Sequence, residues 1–255
     1  MRKPIVAANW KMQKTAAEAV AFVEVFLPLV ADVEEVEIVI APPFTSLDRL
    51  GRALGGSGVL LAAQNANAEE AGAFTGEIAP RMLEELGCTY TIVGHSERRS
   101  LYAESSEVVA EKAAALLRHG IRPIVCVGET LEIREQDRTF EVVGAQLTDS
   151  LAQVPDDRAR EIVVAYEPVW AIGTCRTATP EMAQEVHAFI REQLAQRFGD
   201  AAADIRIQYG GSVKPDNATA LMGKPDIDGA LVGGAGLDPE SLAGIVKFDR
   251  QESSK

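Results

Sequence analysis

The sequence predicts an α/β protein with a single domain over 1–255, folded as a (β/α)8 barrel whose closed sheet holds eight parallel strands. Three observations point there. The chain has 255 residues, and single domains of the eightfold barrel class centre near about 250. Eight short β-rich runs alternate with helical stretches along the chain, the order that a parallel sheet requires. Most of those runs are continuously apolar rather than alternating, as strands covered on both faces are.

The first run is Ile5–Asn9, and the helix after it opens on Thr15-Ala16-Ala17-Glu18, a capping box. The second run is Glu37–Ala41. A short loop, Gly55-Gly56-Ser57-Gly58, leads into the third, Val59–Gln64, and the fourth is Tyr90–Gly94. A helix is expected from Glu107 to His119, with Gly120 where a helix-ending glycine belongs. The fifth and sixth runs are Ile121–Val127 and Ile162–Tyr166. Thr179-Pro180-Glu181 supplies a capping hydroxyl, a proline at the first helical position and an acid in the first turn, for a helix reaching Phe198 and stopping at Gly199. The last two runs are Ile205–Tyr209 and Gly229–Val232, and Asp238-Pro239-Glu240 repeats the helix-start pattern. No Pro- or Ser-rich linker divides the chain, and Gln251 to Lys255 are expected to fray.

Composition narrows the function. Asp plus Glu outnumber Lys plus Arg by 38 to 25, a net charge of −13. That argues against nucleic-acid binding, which needs a basic face. No stretch approaches the roughly 18 apolar residues of a membrane span, and the N-terminus carries no signal-peptide pattern. The three cysteines, Cys88, Cys126 and Cys175, are far apart and form no CxxC pair, so a reduced cytoplasm is the expected home. His95, His119 and His187 show no metal-binding spacing, and no metal is expected.

In such barrels the active site is assembled at the C-terminal strand ends. After the first strand comes Asn9-Trp10-Lys11, where Lys11 is either a mouth cation or a solvated surface lysine. After the fourth comes His95, placed where a helix N-terminus disfavours the imidazolium, so that a neutral ring can donate to an oxygen gaining charge. A purely structural histidine is the alternative. After the sixth comes Glu167, a carboxylate whose pKa a desolvated mouth raises towards that of a neutral-pH base. A structural ion pair is the alternative there. Pro168-Val169-Trp170 is stiff, Ala171-Ile172-Gly173-Thr174 is small, and Arg176-Thr177-Ala178 leads into the next helix, which together describe a hinged lid. Gly210-Gly211-Ser212-Val213 and Gly233-Gly234-Ala235-Gly236 end the seventh and eighth strands, where this barrel type binds phosphate through backbone N–H groups. No Walker motif competes, since Gly223-Lys224 is followed by Pro225.

The motifs Ala8-Asn9-Trp10-Lys11, Ala63-Gln64-Asn65, Ala73-Phe74-Thr75-Gly76-Glu77, Val93 to Arg99, Cys126 to Thr130, Tyr166 to Thr174, Tyr209 to Val213 and Val232-Gly233-Gly234 occur in order. Together they closely resemble the triosephosphate isomerase family, whose fold is the TIM barrel and which is itself a standard example of pKa tuning. The resemblance implies interconversion of dihydroxyacetone phosphate and D-glyceraldehyde 3-phosphate, in glycolysis and gluconeogenesis. Glu167 would move the proton. Neutral His95, Lys11 and Asn9 would stabilise the enediolate. Backbone groups of Gly173, Ser212, Gly233 and Gly234 would hold the phosphate. It further implies support from Glu97, lid contacts from Glu129, Trp170, Tyr209 and Ser212, no cofactor, and a homodimer in which the loop of Phe74, Thr75 and Gly76 reaches into the partner.

The chain departs from the family pattern in places. The lid continues Cys175-Arg176-Thr177 in place of the usual Gly-Lys-Thr. Cys removes backbone freedom, at roughly 1–2 kcal/mol if that position needs positive φ. Cys175 is also the thiol expected to be most open to modification, whereas Cys88 and Cys126 are expected to be structural. Gln13 replaces the usual Asn, and Gly236 replaces the usual Ser near the phosphate end. Two other readings stand beside the resemblance: a different phosphate-binding barrel isomerase, and a weakened homologue retained for binding.

Overall fold

The computed structural model describes residues 2–173 and 178–248. Eight strands close into a barrel in sequence order, β1 to β8. They are β1 Ile5–Asn9, β2 Glu37–Ala41, β3 Val59–Ala63, β4 Tyr90–Val93, β5 Arg122–Val127, β6 Val163–Tyr166, β7 Arg206–Tyr209 and β8 Gly229–Val232. Every neighbouring pair is parallel, and β1 pairs with β8 to complete the closure.

Helices α1 (Ala16–Val30), α2 (Leu47–Leu54), α3 (Pro80–Glu85), α5 (Ser106–Arg118), α7 (Thr139–Ser150), α8 (Pro180–Phe198), α9 (Pro215–Met222) and α10 (Pro239–Val246) connect successive strands or close the chain. Two short helices, α4 (Ser96–Leu101) and α6 (Leu131–Glu135), directly follow β4 and β5. The expected caps form. Thr15 and Glu18 make the capping box, Thr179 accepts from the Met182 N–H, and Asp238 accepts from the Ser241 N–H. Gly120 and Gly199 take positive φ of 68° and 55°, which favours glycine at those helix ends.

The two faces of each strand feed two cores. Ile5, Ala7, Val39, Ala41, Tyr90, Ile92, Ile124, Cys126, Val163, Ala165 and Leu231 fill the barrel interior. Val6, Ala8, Ile38, Ile40, Val125, Val164, Tyr166 and Val232 point outward into the helical sleeve. This period of two decides what reaches the mouth. Asn9 continues the inward row Ile5, Ala7, and Glu167 continues Val163, Ala165.

A polar plug occupies the opposite end, built from the first residues of four strands. The Tyr90 hydroxyl donates to Glu37 and accepts from Arg122 at 3.1 Å and Arg206 at 2.7 Å, while Arg206 also reaches Glu37 at 2.8 Å. Among the described residues no helix is long and apolar enough to cross a membrane. The tail expected to fray lies outside the described residues.

Candidate active site

A cavity of about 380 Å³ opens at the C-terminal strand ends. Asn9, Lys11, His95, Glu167, Gly173, Ser212, Gly233 and Gly234 all line it. Residues expected to carry chemistry and those expected to hold phosphate thus meet in one space. Among the described residues, no three His, Cys, Asp or Glu side chains converge as a metal ion would require.

Lys11 sits in the left-handed region with φ 53°, a conformation that costs a non-glycine residue roughly 1–2 kcal/mol. Two neighbours hold it there. The Asn9 carboxamide oxygen accepts from the Lys11 N–H at 3.0 Å, and the Gln64 carboxamide donates to the Lys11 carbonyl at 2.9 Å and to Ala41 at 2.8 Å. The ammonium meets Glu97 at 2.6 Å. Glu97 is therefore the carboxylate that faces the Lys11 ammonium. Gln64 stood in a quoted motif, but its clamping role was not legible there, because Lys11 lies 53 positions away.

His95 caps α4. Its Nδ1 accepts from the Glu97 N–H at 3.2 Å, so that whenever the ring is neutral its proton sits on Nε2. That nitrogen lies 3.0 Å from Glu167 Oε1. Glu167, only 2% exposed, also accepts from the Ser96 N–H at 2.9 Å and the Ser96 hydroxyl at 3.2 Å.

This pairing corrects both pKa expectations. Burial raises the Glu167 pKa, but the His95 charge, the His95 hydrogen bond and both Ser96 donors outweigh it, and the carboxyl is held below its ordinary value. Burial lowers the His95 pKa, but Glu167 outweighs it and holds the ring above its ordinary value. A strand-end position predicted the desolvation. The partner 72 residues away that reverses its effect was not visible in local sequence.

Glycines make room for the base. A Cβ on Gly128 would fall 1.7 Å from the Glu167 carbonyl oxygen, and one on Gly210 would fall 2.8 Å from Glu167 Cγ. Both positions therefore require glycine for close approach.

The residues that follow β6 are anchored. Buried Glu129 accepts on Oε1 from the Trp170 indole at 2.9 Å and the Tyr166 hydroxyl at 3.1 Å, with Arg134 at 3.5 Å. Gly173 is exposed, with φ 64°. Thr174, Cys175, Arg176 and Thr177 lie outside the described residues, and with them the expectations for Cys175 and the lid exit. The Tyr209 ring lies 6.4 Å, centroid to centroid, from the His187 ring of α8. Burial pushes its hydroxyl pKa up to about 12, and the Ala178 backbone pulls the other way. Cys88 and Cys126 are buried, and burial raises both thiols, Cys88 to about 12. Gly236 packs tightly, since a Cβ there would meet Ala8 Cβ at 3.0 Å, and its carbonyl accepts from the Trp10 indole at 2.9 Å.

Comparison with known proteins agrees with this geometry. The model of the family described as Triosephosphate isomerase matches residues 4–249. A triosephosphate isomerase of Trichlorobacter lovleyi is 52% identical over 249 residues, covering 97% of this chain and 99% of the relative. One of Citrifermentans bemidjiense is 54% identical over the same shares. The crystal structure of triosephosphate isomerase from Bartonella henselae superposes with a TM-score of 0.88 at 40% identity, covering 95% of this chain and 97% of that one.

Proposed function

The chain belongs to the triosephosphate isomerase family, and from that premise we propose that Glu167 is the base that moves a proton between the two carbons of the triose phosphate. The chain is an intramolecular aldose–ketose isomerase, with dihydroxyacetone phosphate and D-glyceraldehyde 3-phosphate as the pair it interconverts. The observation that carries the reading is the convergence of Glu167, His95, Lys11 and Asn9 with the glycines of β7 and β8 on one cavity.

Substrate takes over the polar atoms that now face one another. Its phosphate lies at Ser212, Gly233 and Gly234, with Gly173 closing from the lid. Its carbonyl oxygen accepts from His95 Nε2, displacing Glu167. Once that carboxylate leaves the ring, burial and the nearby Lys11 disfavour the imidazolium and outweigh the smaller opposing pull of Glu97. His95 then acts as a neutral donor, with Lys11 and Asn9, to the oxygen that gains charge in the enediolate. Glu167, removed from His95 and Ser96, loses the donors that depress its pKa and becomes the stronger base that proton abstraction needs. Closure over the site excludes water from the intermediate.

We further propose a cytoplasmic homodimer. Residues 71–77 are exposed between β3 and α3, and Phe74 at their centre is 46% exposed. The resemblance supports this loop as an arm inserted into a second copy. Sedimentation of wild type and Thr75→Arg tests it: a monomeric wild type overturns the dimer. For the activity, a coupled assay of glyceraldehyde 3-phosphate isomerisation is decisive. Correctly folded protein without turnover overturns the reading.

A further inference from the structure

Among the described residues, four titratable side chains line the cavity: Lys11, His95, Glu167 and Lys214. Three have charged or hydrogen-bonding partners close by. Lys11 meets Glu97 at 2.6 Å, and His95 meets Glu167 at 3.0 Å. Lys214 differs. It is exposed, and among the described residues its ammonium forms no ion pair or hydrogen bond. Its backbone is fixed, because its N–H donates to Asn217 Oδ1 at 2.8 Å and Pro215 opens α9 immediately after it. It lines the same cavity as Gly211, Ser212, Gly233 and Gly234, and its backbone follows directly on Gly211-Ser212-Val213.

The rest of the chain makes that charge matter. A net charge of −13 repels a dianionic triose phosphate at long range. Lys11 offers little distant attraction, since Glu97 offsets it. We propose that Lys214 is a steering residue: its unpaired ammonium draws the substrate phosphate from solvent towards the Ser212–Gly234 end and sets the rate of productive encounter, without contributing to proton transfer. The proposal rests on the phosphate-end assignment above. A cation placed for encounter acts on kcat/KM when association is limiting, as it is in standard examples of this enzyme class. Its influence fades as salt shortens the screening length from about 30 Å at 0.01 M to about 3 Å at 1 M.

The test measures kcat and kcat/KM for glyceraldehyde 3-phosphate across ionic strength in Lys214→Gln, Lys214→Glu and Lys214→Arg. Lys247→Glu is the control. It makes the same charge change at the C-terminus of α10, where the helix has returned to the opposite end of the barrel, and there Lys247 pairs with Asp32 at 2.8 Å. Near 0.01 M salt, kcat/KM should fall about threefold in Lys214→Gln and about tenfold in Lys214→Glu, with kcat nearly constant. The deficits should shrink to within about twofold near 0.5 M, and Lys214→Arg should retain the wild-type profile. Steering is overturned if Lys214→Glu matches Lys247→Glu at low salt, if its deficit persists undiminished at high salt, or if Lys214→Arg is as impaired as Lys214→Gln. Inhibition by inorganic phosphate in Gly234→Val reports separately on the phosphate end. An unchanged inhibition constant there sinks that assignment and leaves the salt profiles to decide steering.

Discussion

His95 Nε2 lies 3.0 Å from Glu167 Oε1, so the proposed base and the proposed electrophile hold each other in the unliganded site. The contact has a sign for each partner: Glu167 is pulled below its ordinary pKa and His95 is pushed above its own. The Glu167 contribution to stability is therefore present above its ordinary value of about 4.5 and lost as pH falls through its lowered value. Replacing His95 by Gln should raise the Glu167 pKa. Carboxyl titration by NMR with labelled glutamate would check this, and an unmoved or lower value would contradict the pairing.

Shortening the base should separate chemistry from binding. Glu167→Asp draws the carboxylate back by about one methylene and should lower kcat by about a hundredfold or more, with little change in KM. A large rise in KM with kcat intact would argue for a binding role instead.

Lys11→Ala removes the cation that the left-handed backbone and Glu97 hold at the mouth. Affinity for phosphate-bearing inhibitors should fall by about 2 kcal/mol, roughly thirtyfold. Unchanged inhibition would mean that the ammonium does not meet the ligand.

Gly128→Ala should disturb Glu167 from outside the set of charged residues. The added Cβ would overlap the Glu167 carbonyl oxygen, so β5 and β6 must part. A loss of about 1–3 kcal/mol of stability is expected, together with a fall in kcat. Thermal unfolding and steady-state rates would report both, and wild-type values in each would show that the loop absorbs the methyl.

A separate pH effect belongs to His119. Its two ring nitrogens face Glu84 and Glu70, each at 2.7 Å, and these carboxylates raise its pKa. A raised pKa means the stabilisation is complete below about pH 6.5 and disappears as pH rises through the folded-state value. Solvent screening limits it to about 1 kcal/mol or less. His119→Gln should melt below wild type at pH 6 and approach it at pH 9. An equal gap at both pH values would rule out the charge.

Much of this site could be read along the chain, because barrel strands impose a period of two. Once Val163 and Ala165 point inward, Glu167 must follow, and Ile5 and Ala7 place Asn9 in the same way. What escaped reading were contacts between strands that are distant in sequence. Ser96 beneath Glu167, Gln64 over Lys11 and Gly128 behind the base each act on a residue 39 to 71 positions away. The pKa expectations failed for the same reason: burial is a property of position, whereas pairing depends on what folding brings opposite. Strand boundaries shifted by a single residue where the outer residue makes no ladder pairing, as at Ile121, Ile162 and Ile205.

The Tyr90 plug gives the barrel two ends with separate duties. Glu37, Tyr90, Arg122 and Arg206 stand at strand starts, while Asn9, His95 and Glu167 stand at or just past strand ends. Substitutions at the plug are therefore expected to change thermal tolerance more than turnover. For a lineage adapting to heat, or an engineer imitating one, the plug is the region to alter first, because its hydrogen bonds reach none of the described residues that line the cavity.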